Sequence, residues 1–163
     1  MRNSWYVWVM AAAFATGALA QKKPDFSGTW KLDLLRSRLD DVPGLKSSVI
    51  KIEHHEPKIH IEITTVTHQG ETSEAFDLTT DGVESKQTIG GQPCAASAQW
   101  DSWSGNRLVL TVKCQPPEGA VVTTRRMKLG DKDRMMTTVL TVKDKTGEKK
   151  GYGFYVKEPQ PGS

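Results

Sequence analysis

Apolar and polar residues alternate with a period of two through most of the chain after residue 25. Because successive side chains of a β-strand point to opposite faces, this pattern is typical of strands that bury one face. The first alternating stretch places five residues on one face: Phe26, Gly28, Trp30, Leu32 and Leu34.

Similar stretches recur with Gly, Pro or Asp turn signals between them, and no helical pattern runs longer than a turn or two. The predicted strands are 26–34, 48–55, 58–67, 71–80, 83–89, 94–101, 107–115, 120–129, 134–143 and 149–157. Sequential hairpins favour a barrel over a sandwich, because closure removes exposed strand edges. The sequence therefore predicts an all-β fold, an antiparallel up-and-down β-barrel of about 8–10 strands with no long helices.

One hairpin register follows from the side chains. Pairing Ile50 with Ile63 keeps apolar residues opposite each other and places Lys51 opposite Glu62 on the outer face. Asp81-Gly82 predicts a two-residue hairpin between the fourth and fifth strands, since both central positions of a type I′ turn need positive φ.

The first 20 residues have a different character. Arg2 precedes an apolar run from Trp5 to Phe14, and the segment ends in Ala18-Leu19-Ala20. The run is shorter than the roughly 18 to 20 residues of a spanning helix, so we interpret residues 1–20 as a signal peptide cleaved before Gln21. An uncleaved anchor is the alternative.

Cleavage leaves one barrel domain, 21–158, and a tail, 159–163, that we expect to be disordered. The protein is then exported, either periplasmic or extracellular, without stable membrane insertion after cleavage. The 22 basic and 19 acidic residues are interspersed, which argues against nucleic acid as a partner.

Two cysteines remain, Cys94 and Cys114. Pairing Trp100 with Leu108 sets them opposite each other on neighbouring strands. They could be buried thiols, a reactive pair or a disulfide, and an oxidising compartment favours the disulfide.

No catalytic residues, metal site or cofactor are predicted. His54 shares the inner face of its strand, whereas His55 and His60 lie on outer faces, so these rings do not converge on a metal. The carboxylates are assigned to outer positions, which leaves no inward acid pair for general acid and base catalysis.

Gly28-Thr29-Trp30, preceded by Phe26, resembles the opening of the calycin superfamily: lipocalins, fatty-acid-binding proteins and small bacterial secreted lipocalin-like domains. The resemblance implies structural roles for Gly28 and Trp30 and a small hydrophobic molecule or fatty acid bound inside the barrel. Residues 35–47 are too short for the helical lid of fatty-acid-binding proteins, and 152–157 lacks the Arg-x-Tyr pair with which those proteins hold a carboxylate.

Arg125 is a charged residue on a predicted inner face. Resemblance to lipocalins implies that it packs on Trp30 at the closed end, and this structural role is preferred; the alternative is to hold a ligand carboxylate. Another inner residue of the later strands could pack on Trp30 in its place. Candidate ligand-binding residues share the inner faces assigned to the late strands: Arg125, Met127, Met136, Tyr152 and Phe154.

Two rival functions stay open. The barrel could be filled by its own side chains and act as an interaction module through its outer surface. An enzyme is the least favoured function, because no catalytic constellation is present in the sequence.

Overall fold

The computed structural model describes residues 22–39 and 42–159. The predicted signal peptide lies outside the described residues, as do residues 160–163 of the predicted tail. In the described part, antiparallel strands form a nearly closed barrel, and a 3-10 turn at Asp131–Asp133 is its only helical element, which confirms the predicted fold class. The strands are β1 (Gly28–Leu32), β2 (Leu45–His55), β3 (Lys58–Thr67), β4 (Gly70–Thr79), β5 (Ser85–Ile89), β6 (Gln92–Trp100), β7 (Arg107–Cys114), β8 (Val121–Leu129), β9 (Met135–Asp144) and β10 (Gly147–Lys157).

The strands lie in the order β4-β3-β2-β1-β10-β9-β8-β7-β6-β5. Only β1 and β10 are neighbours without being consecutive in the chain, so the first strand pairs with the last. Ile50 lies opposite Ile63, and Trp100 lies opposite Leu108, as the side-chain patterns predict.

A gap separates β4 from β5, which stand at the two ends of the strand order. The hairpin predicted at Asp81-Gly82 is therefore wrong. Gly82 has a φ of 85°, but Asp81 does not have positive φ, so the residues cannot form a type I′ turn. Instead, the Gly82 N–H donates to the Ala98 carbonyl at 2.9 Å, and Asp81 forms an isolated bridge with Gln99. These contacts take the chain away from β4 towards β6.

The inner face predicted for the last strand is also wrong. Tyr152 is 50% exposed and Phe154 shares its outer face, whereas Tyr155 is 1% exposed and points inward. Glycine explains the misassignment, because Gly151 and Gly153 hold inner positions without contributing apolar side chains. A Cβ at Gly153 would lie 2.8 Å from the Tyr155 ring, so the missing side chain makes room for that ring.

The barrel has two distinct ends. The closed end carries the N-terminal segment and four connections: 22–27, 56–57, 80–84, 101–106 and 130–134. The mouth carries the other five connections: 33–44, 68–69, 90–91, 115–120 and 145–146. Much of the interior is filled by large side chains that are fully buried: Trp30, Tyr155, Phe26, Phe76, Ile50, Ile61, Leu108, Met127 and Met136.

The connection from β1 to β2 contains no helix in its described parts, 33–39 and 42–44. The Arg38 N–H donates to the Tyr152 carbonyl at 2.7 Å, and the His68 N–H donates to Gly44 at 3.0 Å. The connection is thus attached to β10 at one end and to the β3–β4 turn at the other. No helix in the described part of the chain is long and apolar enough to cross a membrane.

Candidate ligand cavity

A cavity of about 220 Å³ lies inside the barrel towards the mouth. Its wall is formed by inward side chains of β3, β4, β5, β7, β8 and β9: Ile63, Thr65, Thr72, Glu74, Ile89, Val112, Cys114, Thr123, Arg125 and Leu140. Period-two alternation accounts for this set, because each residue occupies an inner position of its strand. Aliphatic and threonine side chains make up most of the wall, and its two charged residues are Glu74 and Arg125.

A larger groove of about 600 Å³ lies outside the barrel, beside the gap between β4 and β5. It is open to solvent, and several outward side chains line it, among them Glu53, His55, His60 and Asp77. An apolar molecule would gain little enclosure there, so the interior cavity is the better candidate site.

Arg125 is half-buried between Leu110 and Leu140, its neighbours on β7 and β9. Its guanidinium donates a long hydrogen bond of 3.4 Å to the Tyr155 hydroxyl. None of the ion pairs formed among the described residues includes Arg125. A half-buried guanidinium with one weak neutral partner retains hydrogen-bond donors for another group.

Tyr155 extends this polar site to β2. Its ring is buried, and its hydroxyl lies 3.4 Å from the Ser48 hydroxyl, which is itself buried. Arg125, Tyr155 and Ser48 therefore form a short polar chain across the interior, supplied by three strands. Tyr155 could have been identified from the sequence, because it carries a hydroxyl group on the last predicted strand. It was missed because the inner face of that strand was assigned wrongly.

Glu74 is an inward acid that the assignment of carboxylates to outer positions missed. It alternates with Phe76 and Leu78 on the inner face of β4, so period two was sufficient to identify it. Its side chain is exposed, because it lies where solvent reaches the cavity. Loss of hydration raises the pKa of the Glu74 carboxyl, and the positive charge of Arg125 partly opposes the rise.

The closed end has a different charged residue from the one the resemblance implied. Trp30 is fully buried there, and its indole N–H donates to the Phe26 carbonyl at 2.9 Å. Lys157, the last residue of β10, places its amino group 5.2 Å from the centre of the Trp30 ring. The preferred role of Arg125, packing on Trp30, is therefore wrong, because Lys157 holds that place and Arg125 lies on the cavity wall.

Gly28 accommodates the same lysine. It has a φ of 139°, a conformation that side chains disfavour, and a Cβ there would overlap the Lys157 side chain. The backbone of β1 thus leaves the space through which Lys157 reaches Trp30.

His54 belongs to a polar network that seals the closed end. Its buried ring lies 3.1 Å from Glu56, whose carboxylate also accepts hydrogen bonds from Trp100 at 2.7 Å and from Thr80 at 2.7 Å. Burial acts to raise the pKa of Glu56, but the hydrogen bonds from Thr80, Trp100 and His54 outweigh it and lower that pKa. The network ties the turn at 56–57 to the segment at 80–84 and to β6.

The other predicted site residues do not line the cavity. Met127 and Met136 point inward but are fully buried in the core beneath it. Tyr152 and Phe154 lie on the outer face, where the Arg36 guanidinium sits 5.0 Å from the Phe154 ring. Of the predicted ligand-binding residues, only Arg125 reaches the cavity.

Cys94 and Cys114 form a disulfide, as predicted, with their Cα atoms 4.2 Å apart. Cys114 also lines the cavity, so the bond joins β6 to β7 at the cavity wall. No cluster of three His, Cys, Asp or Glu side chains suited to a metal ion occurs within residues 22–39 and 42–159.

Comparison with known proteins identifies the fold. No protein-family model and no curated protein sequence matches the chain significantly. Among solved structures, a secretory abundant heat soluble (SAHS) protein from Ramazzottius varieornatus superimposes with a TM-score of 0.57 at 15% identity, covering 81% of this chain and 94% of that one.

A second neighbour is human cRBP IV, with a TM-score of 0.53 at 14% identity over 83% of this chain and 99% of the human protein. SAHS protein 4 from the same Ramazzottius species gives 0.50 at 14% identity, over 82% and 95% of the two chains. Identities this low bear on the fold alone. These structures and the near-barrel of sequential antiparallel strands show that the chain has a calycin-like fold.

Proposed function

We propose that this protein is an exported binding protein that takes one small apolar molecule into the mouth half of its barrel. Arg125, which is hydrogen-bonded to Tyr155, holds the polar head group of that molecule, and the aliphatic and threonine side chains of the wall surround its chain. The protein uses no catalytic chemistry. Human cRBP IV, a binding protein by its name, shares this fold, and the likeness supports the proposal.

The observation that carries the proposal is the position of Arg125 on the cavity wall with one long hydrogen bond. Placing a charged group on a half-buried wall is costly unless a partner compensates it, and Tyr155 compensates it only weakly. A bound head group that accepts hydrogen bonds would complete the guanidinium's partners.

Export is part of the proposal. The apolar segment before Ala20 and the Cys94–Cys114 disulfide support it, because disulfides persist in oxidising compartments. The SAHS protein, whose name describes it as secretory, is a structural neighbour that is consistent with export.

Native mass spectrometry of protein purified from its own host tests the binding function. The expected result is a fraction of molecules carrying one additional small apolar compound that is released on denaturation. Homogeneous apo protein that also binds no fluorescent apolar probe would contradict it.

A filled-barrel interaction module is the second candidate. The observation favouring it is size, because 220 Å³ is less than the roughly 300 to 1,000 Å³ usual for sites that enclose drug-sized ligands. A binding protein of this kind must take a short ligand or leave part of it projecting from the mouth. If no apolar probe binds, the module is the remaining function.

A further inference from the structure

Glu74 and Arg125 carry opposite charges on the wall of one cavity, yet no ion pair joins them among the described residues. They also line the small space that continues from this cavity towards Phe76 and Leu110. Two opposite charges that line one cavity without forming an ion pair are both available to a ligand group.

We propose that Glu74 determines which head group the cavity accepts: a neutral hydroxyl group when Glu74 is ionised, and an anionic head group only when Glu74 is protonated. This inference rests on the proposed function, since it specifies the ligand class of the same cavity.

The physical reason is the charge balance of the cavity. An alcohol can donate its hydroxyl hydrogen to ionised Glu74 and accept a hydrogen bond from Arg125, so both charged groups gain a partner. A carboxylate or sulfonate can accept from Arg125, but it faces a second negative charge on Glu74, and like charges that share a cavity repel each other. Protonated Glu74 removes the repulsion and becomes a hydrogen-bond donor to the anion.

Glu74 and Arg125 are the two charged residues among those that line the cavity, so the preference for a head group depends on this pair. Its cavity neighbours on β3, β5, β7 and β9 are uncharged: Ile63, Thr65, Ile89, Val112, Cys114 and Leu140. On β8, Thr123 is uncharged and Arg125 is the charged residue that faces it. Loss of hydration among these neighbours raises the pKa of Glu74, which favours its protonation.

The test compares decanol with decane sulfonate, which share a chain and differ in head group. The sulfonate stays ionised across about pH 5 to 8, so the ligand adds no titration of its own to that of Glu74. Dissociation constants are measured by calorimetry for the wild-type protein and for Glu74→Gln. Glu71→Gln is the matched control, since it removes the same charge from a residue on the outer face of the same strand.

We expect wild-type affinity for the sulfonate to rise as the pH falls from 8 to 5, by up to about tenfold if the bound anion raises the pKa of Glu74 by about one unit. Glu74→Gln should bind the sulfonate more tightly than the wild type does at pH 8, with no dependence on pH. Decanol affinity should change little with pH, and Glu71→Gln should follow the wild type throughout.

An identical pH profile for the sulfonate in wild type and Glu74→Gln would overturn the role of Glu74 while leaving the binding function intact. Failure of both probes to bind wild-type protein would instead reject the binding function, and this inference with it. Thermal melting of each variant verifies that the barrel is folded.

Discussion

The amino group of Lys157 lies 5.2 Å from the centre of the buried Trp30 ring, so the end of the last strand packs on the first strand at the closed end. This contact lies where the first strand, β1, pairs with the last strand, β10. A cation over an indole is worth about 0.5 to 2 kcal/mol, depending on its hydration. Trp30 and Lys157 are therefore expected to contribute to stability without contacting the ligand.

Replacing Trp30 by alanine should lower the free energy of unfolding by about 3 to 5 kcal/mol, because it empties a fully packed part of the core. Chemical denaturation measures the change. Trp103→Ala is the control, since Trp103 is 97% exposed and its loss should cost no more than about 0.5 kcal/mol. Equal losses in the two variants would show that Trp30 is not a core residue.

Arg125→Leu and Lys157→Leu should separate ligand binding from stability. Arg125→Leu removes the head-group donor and should abolish binding of a fluorescent fatty-acid analogue at about pH 5 while leaving the melting temperature nearly unchanged. Lys157→Leu should lower the melting temperature by a few degrees, equivalent to about 1 kcal/mol, and preserve binding. The opposite pattern would return Arg125 to a structural role.

Reduction of the disulfide should destabilise the protein by about 3 kcal/mol, because it frees a loop of about 20 residues in the unfolded chain. The measurement is the free energy of unfolding with and without reductant. A Cys94→Ala, Cys114→Ala double variant should behave like the reduced protein. Thiol titration of the unreduced, denatured wild type should find no free thiol, and two free thiols would contradict the bond.

Acid should weaken the closed end through Glu56. Its folded pKa is lowered from an ordinary value of 4.5, so its contribution to stability is present above that value and is lost as the pH falls through the folded pKa. Glu56→Gln should therefore be less stable than wild type near pH 7, with a difference that shrinks in strong acid. Denaturation of both proteins across this range measures it, and a constant difference would exclude the linkage.

Cleavage after Ala20 can be checked by sequencing the N-terminus of exported protein, which should begin at Gln21. Removal of the apolar segment should leave the protein in the soluble fraction. A chain that begins at Met1 and remains with the membrane fraction would favour the uncleaved anchor.

Strand positions and two registers were predictable because each depends on neighbouring residues alone. Ile50 opposite Ile63 and Cys94 opposite Cys114 follow from alternation once a turn is located. The disulfide was predictable for the same reason, combined with the expected compartment.

The candidate site was less predictable, because its residues come together from separate strands. Glu74 and Arg125 are far apart in sequence, and their common cavity depends on how the sheet closes. The face of Tyr155 was hidden by Gly151 and Gly153, which occupy inner positions without apolar side chains. The turn at Asp81-Gly82 was misassigned because a long-range hydrogen bond from Gly82 to Ala98 outweighed the local preference.

The gap between β4 and β5 gives the barrel unequal stiffness around its circumference. Everywhere else, widening the barrel must break ladder hydrogen bonds, but moving β4 away from β5 breaks none. The easiest deformation is thus a sideways parting along this line, and Glu74 lies on one of its two borders. Glu71 and Asp77 on the outer face of β4 discourage another chain from adding a strand there, because a matching edge would bring acidic side chains together. The barrel thus has a compliant side whose β4 edge resists pairing with the same edge of a second copy.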